Sequence, residues 1–550
     1  MSASNTTQSS AVVNGTLPHD NGAYRLKDVP LGTPDHLRIR MIGAGASGLN
    51  MARHVELHMK NVDFMIYEKN DEVAGTWYEN RYPGCACDIP AHSYQFAWAP
   101  NPNWSTYYPS GPEIFKYFQG VAKKFDLYRF IKLSHFVTSA IWDEEAGIWN
   151  IETQNVETKE VVKDWAHIFI NGGGILNNWK WPDIEGLHTF KGELAHSAAW
   201  SENFDYNGKD VIVIGSGSSG IQIVPSLQPK VKSLTTFIRS PTWITPTFAN
   251  KYANADGSNL IFTEEQRKRF NEDPEHYLQY RKGVEFELNE KFKGLVLGTK
   301  EQKIFREFSQ QVMIDKLNGD ERLIKAILPD FAAGCRRPTP GVGYLEALTK
   351  PNVNVVLSGI EKVVPEGIVT KDGQTIKADA LICATGFDVS FAPRFKFIGR
   401  NGVDLKEQWK VRPRSYLSCA VENFPNYFMF HGPNAPIGQG SIITIIEQVS
   451  RYIINFMKKI QTQNIKSAAP KTEAVADLEE HIDESMKRLA FLAPCRSWFK
   501  NGKVDGPVIA IWPGSRNRFA YMGNNFSVRE APGQNISFYL EDPEAGYKEY

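Results

Sequence analysis

The hydrophobic pattern of the chain is one unit used twice. Leu37, Ile39, Met41 and Ile42 form a short apolar run that predicts a buried strand. It leads straight into Gly43-Ala44-Gly45-Ala46-Ser47-Gly48, after which Leu49, Ala52, Val55 and Met59 recur at helical spacing. Residues 63–67 read as the next strand, closed by Glu68. The same order returns with Asp210–Ile214, then Gly215-Ser216-Gly217-Ser218-Ser219-Gly220. A helix marked by Ile221, Val224 and Leu227 and a strand at 234–238 complete it, with Pro225 a local irregularity.

Between and beyond the two units the pattern changes. Segments 136–142, 148–152 and 165–170 are rich in alternating β-formers and predict a small antiparallel excursion ending at Gly172-Gly173-Gly174. Residues 166–173 and 378–386 echo each other as strands ending in small residues, each returning the chain from one domain to the other. The domains are therefore expected to be discontinuous. Residues 246–333 carry Glu, Lys, Gln and Phe, with Phe286, Phe292, Leu295, Ile304, Phe305 and Phe308 at helical spacing, and predict a helical insertion in the second domain. A basic, turn-rich loop spans 334–341. The chain closes with a strand at 427–431 and a long helix whose apolar face (Ile442, Ile445, Ile446, Val449, Ile453, Phe456, Ile460) is expected to face the core.

Each glycine hexad has the spacing a dinucleotide requires. The first glycine permits a tight turn, the second lets the backbone approach a pyrophosphate, and the third lets helix and strand pack closely. The helix N-terminus then presents free N–H groups to the phosphates. The candidate contacts are Gly43, Gly45, Ser47 and Gly48 in the first copy and Gly215, Gly217, Ser218, Ser219 and Gly220 in the second. Glu68 lies roughly 25 positions past Gly43, where an acid accepts hydrogen bonds from ribose hydroxyls. Arg239 holds the matching place in the second copy, and a guanidinium there grips a 2′-phosphate. The first site is thus expected to hold a dinucleotide with free ribose hydroxyls, such as FAD, and the second NADP(H).

The fold class expected is α/β: two three-layer, Rossmann-like dinucleotide-binding domains with a helical insertion in the second. Residues 1–36 read as a flexible N-terminal extension and 37–175 as the first part of the FAD-binding domain. The NADP-binding domain takes 176–245 and 334–382, split by the insertion at 246–333. Residues 383–550 return to the FAD-binding domain.

Composition narrows the partners. Formal net charge is zero, which argues against nucleic acid. No run of about 18 apolar residues predicts a membrane span, and residues 1–20 lack the apolar core of a secretory signal, so a cytoplasmic protein is expected. The six cysteines include no Cys-x-x-Cys pair, which excludes a thioredoxin-like dithiol and a zinc ribbon; all six are expected to be reduced thiols, with no metal site.

Two longer motifs sit around the fingerprints. Between them lies a stretch with Phe190, Gly192, His196 and Trp200. After the first comes a loop with Gly75, Trp77, Tyr82, Pro83, Gly84 and Asp88, whose composition alone also suits an ordinary structured loop. Together with Ala384-Thr385-Gly386, this constellation resembles the type I Baeyer–Villiger monooxygenases, flavin-dependent enzymes, from Leu37 to about Asn524.

The resemblance implies NADPH- and O2-dependent conversion of a small-molecule ketone to an ester or lactone through a flavin peroxide. It assigns Arg337 to the negative charge of the peroxide and its ketone adduct. Asp88 would hold that arginine or ease its withdrawal. Thr76, Trp77, Tyr94, Ser240, Arg336 and Trp498 would join Asp88 in cofactor binding. The Phe190/Gly192/His196/Trp200 link would be a hinge between domains, with His196 structural rather than a catalytic base. Two departures stand out: Ser201 where relatives usually have Pro or Asp, which should loosen the link turn, and Arg336 where they often have Lys. A flavoprotein oxygenating nitrogen or sulfur is the nearest alternative; a disulfide reductase lacks its Cys-x-x-Cys, and a non-catalytic NADPH sensor would not need Arg337. A monomer or weak dimer is expected, and the ketone is left open.

Overall fold

The computed structural model describes residues 28–30, 32–516 and 519. The expected extension at 1–36 lies mostly outside them, as do residues beyond 519.

Two five-stranded parallel sheets dominate. In the first the order is Tyr427–Met429, Ile168–Asn171, Leu37–Ile42, Val62–Tyr67, Ile131–Lys132. In the second it is Val353–Val356, Ser233–Phe237, Asp210–Ile214, Ala380–Cys383, Glu193–His196. Each fingerprint strand lies between the strand that follows it in its unit and the strand that returns the chain. Ile39 pairs with Ile168 in one sheet and Val211 with Ala380 in the other. The two echoing segments are thus the matching return strands.

Both sheets are buried on both faces, as parallel sheets must be. Strand alternation sorts the side chains. In the first sheet Phe64, Ile66, Ile168 and Ile170 face a core that includes the helices Ala46–His58 and Ile442–Thr462. Met65, Tyr67 and Phe169 face a second layer around Trp149, Phe397 and Phe424. That layer is the small sheet Lys396–Ile398, His135–Asp143, Ile148–Asn155, Val161–Ala166. Trp149 is fully buried there and donates its Nε1–H to the Pro425 carbonyl, 2.9 Å away. The second domain repeats the plan: Val211 and Val213 face the helices, while Ile212 and Ile214 face the three-stranded sheet that contains Val363 and Ile368.

Four expectations need correction. The predicted strand at 165–170 is two strands: the chain breaks at His167, so Val161–Ala166 stays antiparallel while Ile168–Asn171 joins the parallel sheet. The glycine-rich loop after the first unit contains one turn of helix, Thr76–Glu79. Ser201 does not loosen its turn: its hydroxyl accepts from Asn203 N–H at 3.2 Å and its carbonyl from Phe204 N–H at 3.1 Å. Not all cysteines are thiols, because Cys335 and Cys495 form a disulfide with Cα atoms 6.3 Å apart. Folding brings together segments separated by 160 residues, a proximity invisible in the local sequence.

The insertion is helical (Glu264–Glu272, Pro274–Glu290, Lys300–Lys316, Glu321–Ile327) and it serves both cores. Phe270, Tyr277, Val284 and Leu288 pack into the first, Met313, Leu317, Leu323 and Ile327 into the second. It also closes an aromatic box around His92, formed by Phe262, Phe270, Tyr277 and Tyr280.

Candidate active site

The first fingerprint opens into a cavity of about 530 Å³. Gly43, with φ +90°, makes the turn; a side chain on it would lie 2.6 Å from the Gly172 carbonyl of the return strand. Gly215 repeats this at φ +119°, 2.4 Å from the carbonyl of Ala384. Neither fingerprint helix has a side-chain N-cap, whereas Ser110, Thr263, Thr299 and Asp320 cap other helices. The amides at the two fingerprint N-termini are left for an anionic ligand, which fits a dinucleotide pyrophosphate.

Glu68 lines the cavity and is 4% exposed. Its carboxylate accepts from the Ala44 and Asn70 amides at 2.7 and 3.0 Å. Burial raises its pKa, and those two bonds partly oppose the rise. It retains lone pairs for a ribose, since a carboxylate offers about four acceptor sites. Gly45, Ser47, Thr76, Trp77 and Tyr94 share the same wall, with the Trp77 Nε1–H donating to the Tyr94 hydroxyl at 3.2 Å.

Asp88 and Arg337, 249 positions apart, meet in this cavity as a bidentate pair: Nε–Oδ2 is 2.9 Å and Nη2–Oδ1 2.8 Å. Burial works against the guanidinium, but the charge and hydrogen bonds of Asp88 hold its pKa above the ordinary value. Both side chains keep some exposure, 27% and 20%, and that exposure is to the cavity they line. Arg337 is therefore a cation held in place by Asp88, within a pair that keeps one face open to the cavity. Trp498 lines the same cavity, coming from the C-terminal part of the chain.

The second fingerprint adjoins the cavity through Ser218, and the helix that follows it through Gln222. Gln222 accepts from the Tyr82 hydroxyl at 2.8 Å and donates to the Ala86 carbonyl at 2.9 Å, joining the second helix to the first domain's loop. Gly84 sits so close to that helix that a Cβ would lie 2.0 Å from Ser226 Oγ. Beside the second fingerprint, Ser240 receives a hydrogen bond on its carbonyl from Ser216. Arg336 donates to Pro241 O at 2.7 Å and Thr242 Oγ1 at 3.2 Å. Burial, with the like charges of Arg239 and Arg496, pushes the Arg336 guanidinium below its ordinary value.

The model of the flavin-binding monooxygenase-like family matches residues 36–317, which include both fingerprints. The FAD-binding monooxygenase tazF of Aspergillus terreus is 42% identical over 88% of this chain and 87% of its own. A Baeyer–Villiger monooxygenase of Pseudomonas aeruginosa is 31% identical, covering 90% of each chain. The chain belongs to the flavin-binding monooxygenase-like family. Among solved structures, a cyclohexanone monooxygenase from Rhodococcus sp. Phi1 bound to NADP+ superposes with a TM-score of 0.75. It is 27% identical over 94% of this chain and 99% of that one. This protein is accordingly an FAD-dependent monooxygenase. Among its described residues no helix is long and apolar enough to cross a membrane.

The link of the monooxygenase lies away from the cavity. Residues Glu193–His196 are the edge strand of the second sheet, paired with Ala380–Cys383. Phe190 is buried, Gly192 lies against the Asp379 carbonyl, and Trp200 packs on Phe204. His196 is 1% exposed and stacked on Trp179 at 4.6 Å. Its Nδ1 accepts from Ala198 N–H at 3.1 Å, so Nε2 carries the proton toward Thr385 Oγ1 at 3.2 Å. Burial lowers its pKa to about 4, leaving a neutral ring with no free lone pair at neutral pH.

Several cavity residues were not foreseen: Gln222, the segment 388–395 with Arg394, and the loop around Ile437 and Gly440. Asp388 follows Ala384-Thr385-Gly386 closely, and that proximity was the only available signal. The 437–440 loop is pinned by the insertion, since Gln439 donates to the Leu288 and Asn289 carbonyls at 2.8 and 3.0 Å.

Proposed function

We propose that this monooxygenase uses NADPH and O2 to convert ketones to esters or lactones. The observation that carries the reading is the Asp88–Arg337 pair in the wall shared with the first fingerprint and Trp498. When bound and reduced by NADPH, FAD would supply an oxygen atom from O2 in a form activated for transfer. Arg337 places a charge that cannot be lost by deprotonation next to the site where negative charge develops on the ketone oxygen. Asp88 fixes the plane of the guanidinium and limits its reach. Their removal from bulk water strengthens the effect, because the same charge acts in a medium of lower dielectric. Arg239 and Arg336 would hold the 2′-phosphate of the nicotinamide cofactor, and Trp498, in the cavity wall, would close over that cofactor. The link strand, attached to the second sheet alone, serves as the hinge on which that domain turns.

The test is purified protein with NADPH, O2 and a panel of linear, cyclic and aromatic ketones. Esters or lactones one oxygen heavier than the substrate are expected. Formation of N-oxides or sulfoxides from parallel amine and sulfide substrates, without any ester, overturns the reading.

A further inference from the structure

The disulfide joins two identical dipeptides, Cys335-Arg336 and Cys495-Arg496. Each bridged cysteine is followed directly by an arginine, so the bond fixes Arg496 close to Arg336 across 160 residues of chain. Both cysteines are buried, at 0% and 5% exposure, while the Arg496 side chain is exposed. The segment bearing it is closed on itself. The Lys500 Nζ donates to the Ala493 and Val504 carbonyls at 2.7 and 2.6 Å, and Gly502 N–H to the Ser497 carbonyl at 2.9 Å. Arg496 Nη1 donates to Gly502 O at 3.0 Å, which steadies the guanidinium without neutralising it. Arg239, exposed at the end of its strand, and Arg496 both act on Arg336 as like charges. Arg336 thus feels two cations brought from two other stretches of chain, and a dianionic phosphate among them removes that repulsion.

We infer that Arg496 is the third cation of the cradle for the cofactor's 2′-phosphate, held in place by the Cys335–Cys495 disulfide. The inference rests on the reading of Arg239 and Arg336 given above. It adds a selectivity residue on the same short segment as Trp498, so the segment that closes over the cofactor also senses its phosphate.

The test compares NADPH with NADH, which differ only in that phosphate, and adds binding of adenosine 2′,5′-bisphosphate against adenosine 5′-monophosphate. Arg496→Gln should raise KM for NADPH about tenfold or more and weaken the bisphosphate similarly, with little change for NADH or the monophosphate. Arg496→Lys should fall between. A Cys335→Ala/Cys495→Ala double variant should lower the NADPH preference in the same direction. If Arg496→Gln leaves the NADPH/NADH preference unaltered, or shifts both cofactors equally, the assignment of Arg496 is wrong. If the double variant keeps full preference, the positioning role of the disulfide is wrong. Arg239→Gln separates the levels: a preserved preference there overturns the cradle itself. A lost preference there alongside a silent Arg496→Gln overturns only the present inference.

Discussion

In the proposed reaction Arg337 is the residue on which the chemistry turns, and its effect depends on a partner far away in sequence. Its loop was legible as basic and turn-rich. The contact with Asp88 was reachable only through family resemblance, because nothing local specifies a bond across 249 positions. Arg337→Ala should leave NADPH-driven bleaching of the flavin in place while cutting ester formation by about 10²-fold or more, the loss typical of removing one preorganised charge stabiliser. Anaerobic stopped-flow absorbance and product analysis check the two halves separately; near wild-type ester formation would refute the role. At His196 the hydrogen-bond pattern adds what the sequence lacked. The ring nitrogen that a base would use is already accepting from Ala198.

At the scale of elements, the two strand–glycine–helix units were readable because all their constraints lie within a few residues. The third glycine of each hexad shows how tight they are. A Cβ on Gly48 would lie 2.1 Å from the Gly43 carbonyl, and one on Gly220 2.0 Å from that of Gly215. Both neighbours are backbone, so the helix itself must move. Gly48→Ala should therefore yield protein with little bound flavin, and Gly220→Ala protein that keeps its flavin but binds NADPH about tenfold or more weakly. Flavin absorbance per chain and NADPH titration report the two outcomes, and an exchange of phenotypes would reverse the assignment of the sites. The insertion was legible as helical, because helical spacing is local. Its sharing between two cores was not, because an apolar face does not name what it packs against. Residues 165–170 were misread for a related reason: both halves are β-formers, and only pairing partners reveal the break at His167.

Across the whole molecule, burial sets the response to acid. His54, His196 and His431 have pKa values lowered to about 4, and His92 to about 3, burial being the first cause in each case. These rings stay neutral in the fold but take up protons in the unfolded chain below about 6.5. The unfolded state thus binds the extra protons, and stability falls as pH drops from about 6.5 toward 4. Glu68 and Glu447, raised by burial, pull the other way, but His58 and His167 are lowered by burial too, so two groups stand against six histidines. Thermal unfolding across that window at fixed ionic strength should show a falling midpoint; a flat or rising profile would contradict these environments.

What the sequence determined by itself was everything held by neighbours along the chain: two nucleotide units, their contrasting Glu68 and Arg239, and the helical character of the insertion. Tertiary structure alone decided the relations between distant segments. It placed Gln222 and Gly84 at the meeting of the domains, drew the link into a sheet edge, and tied Arg496 to Arg336 through a disulfide that composition gave no reason to expect. The physical reason is the same throughout. A glycine turn or a helix period is fixed by sterics within a few residues, whereas an ion pair or a disulfide depends on where the folded chain returns.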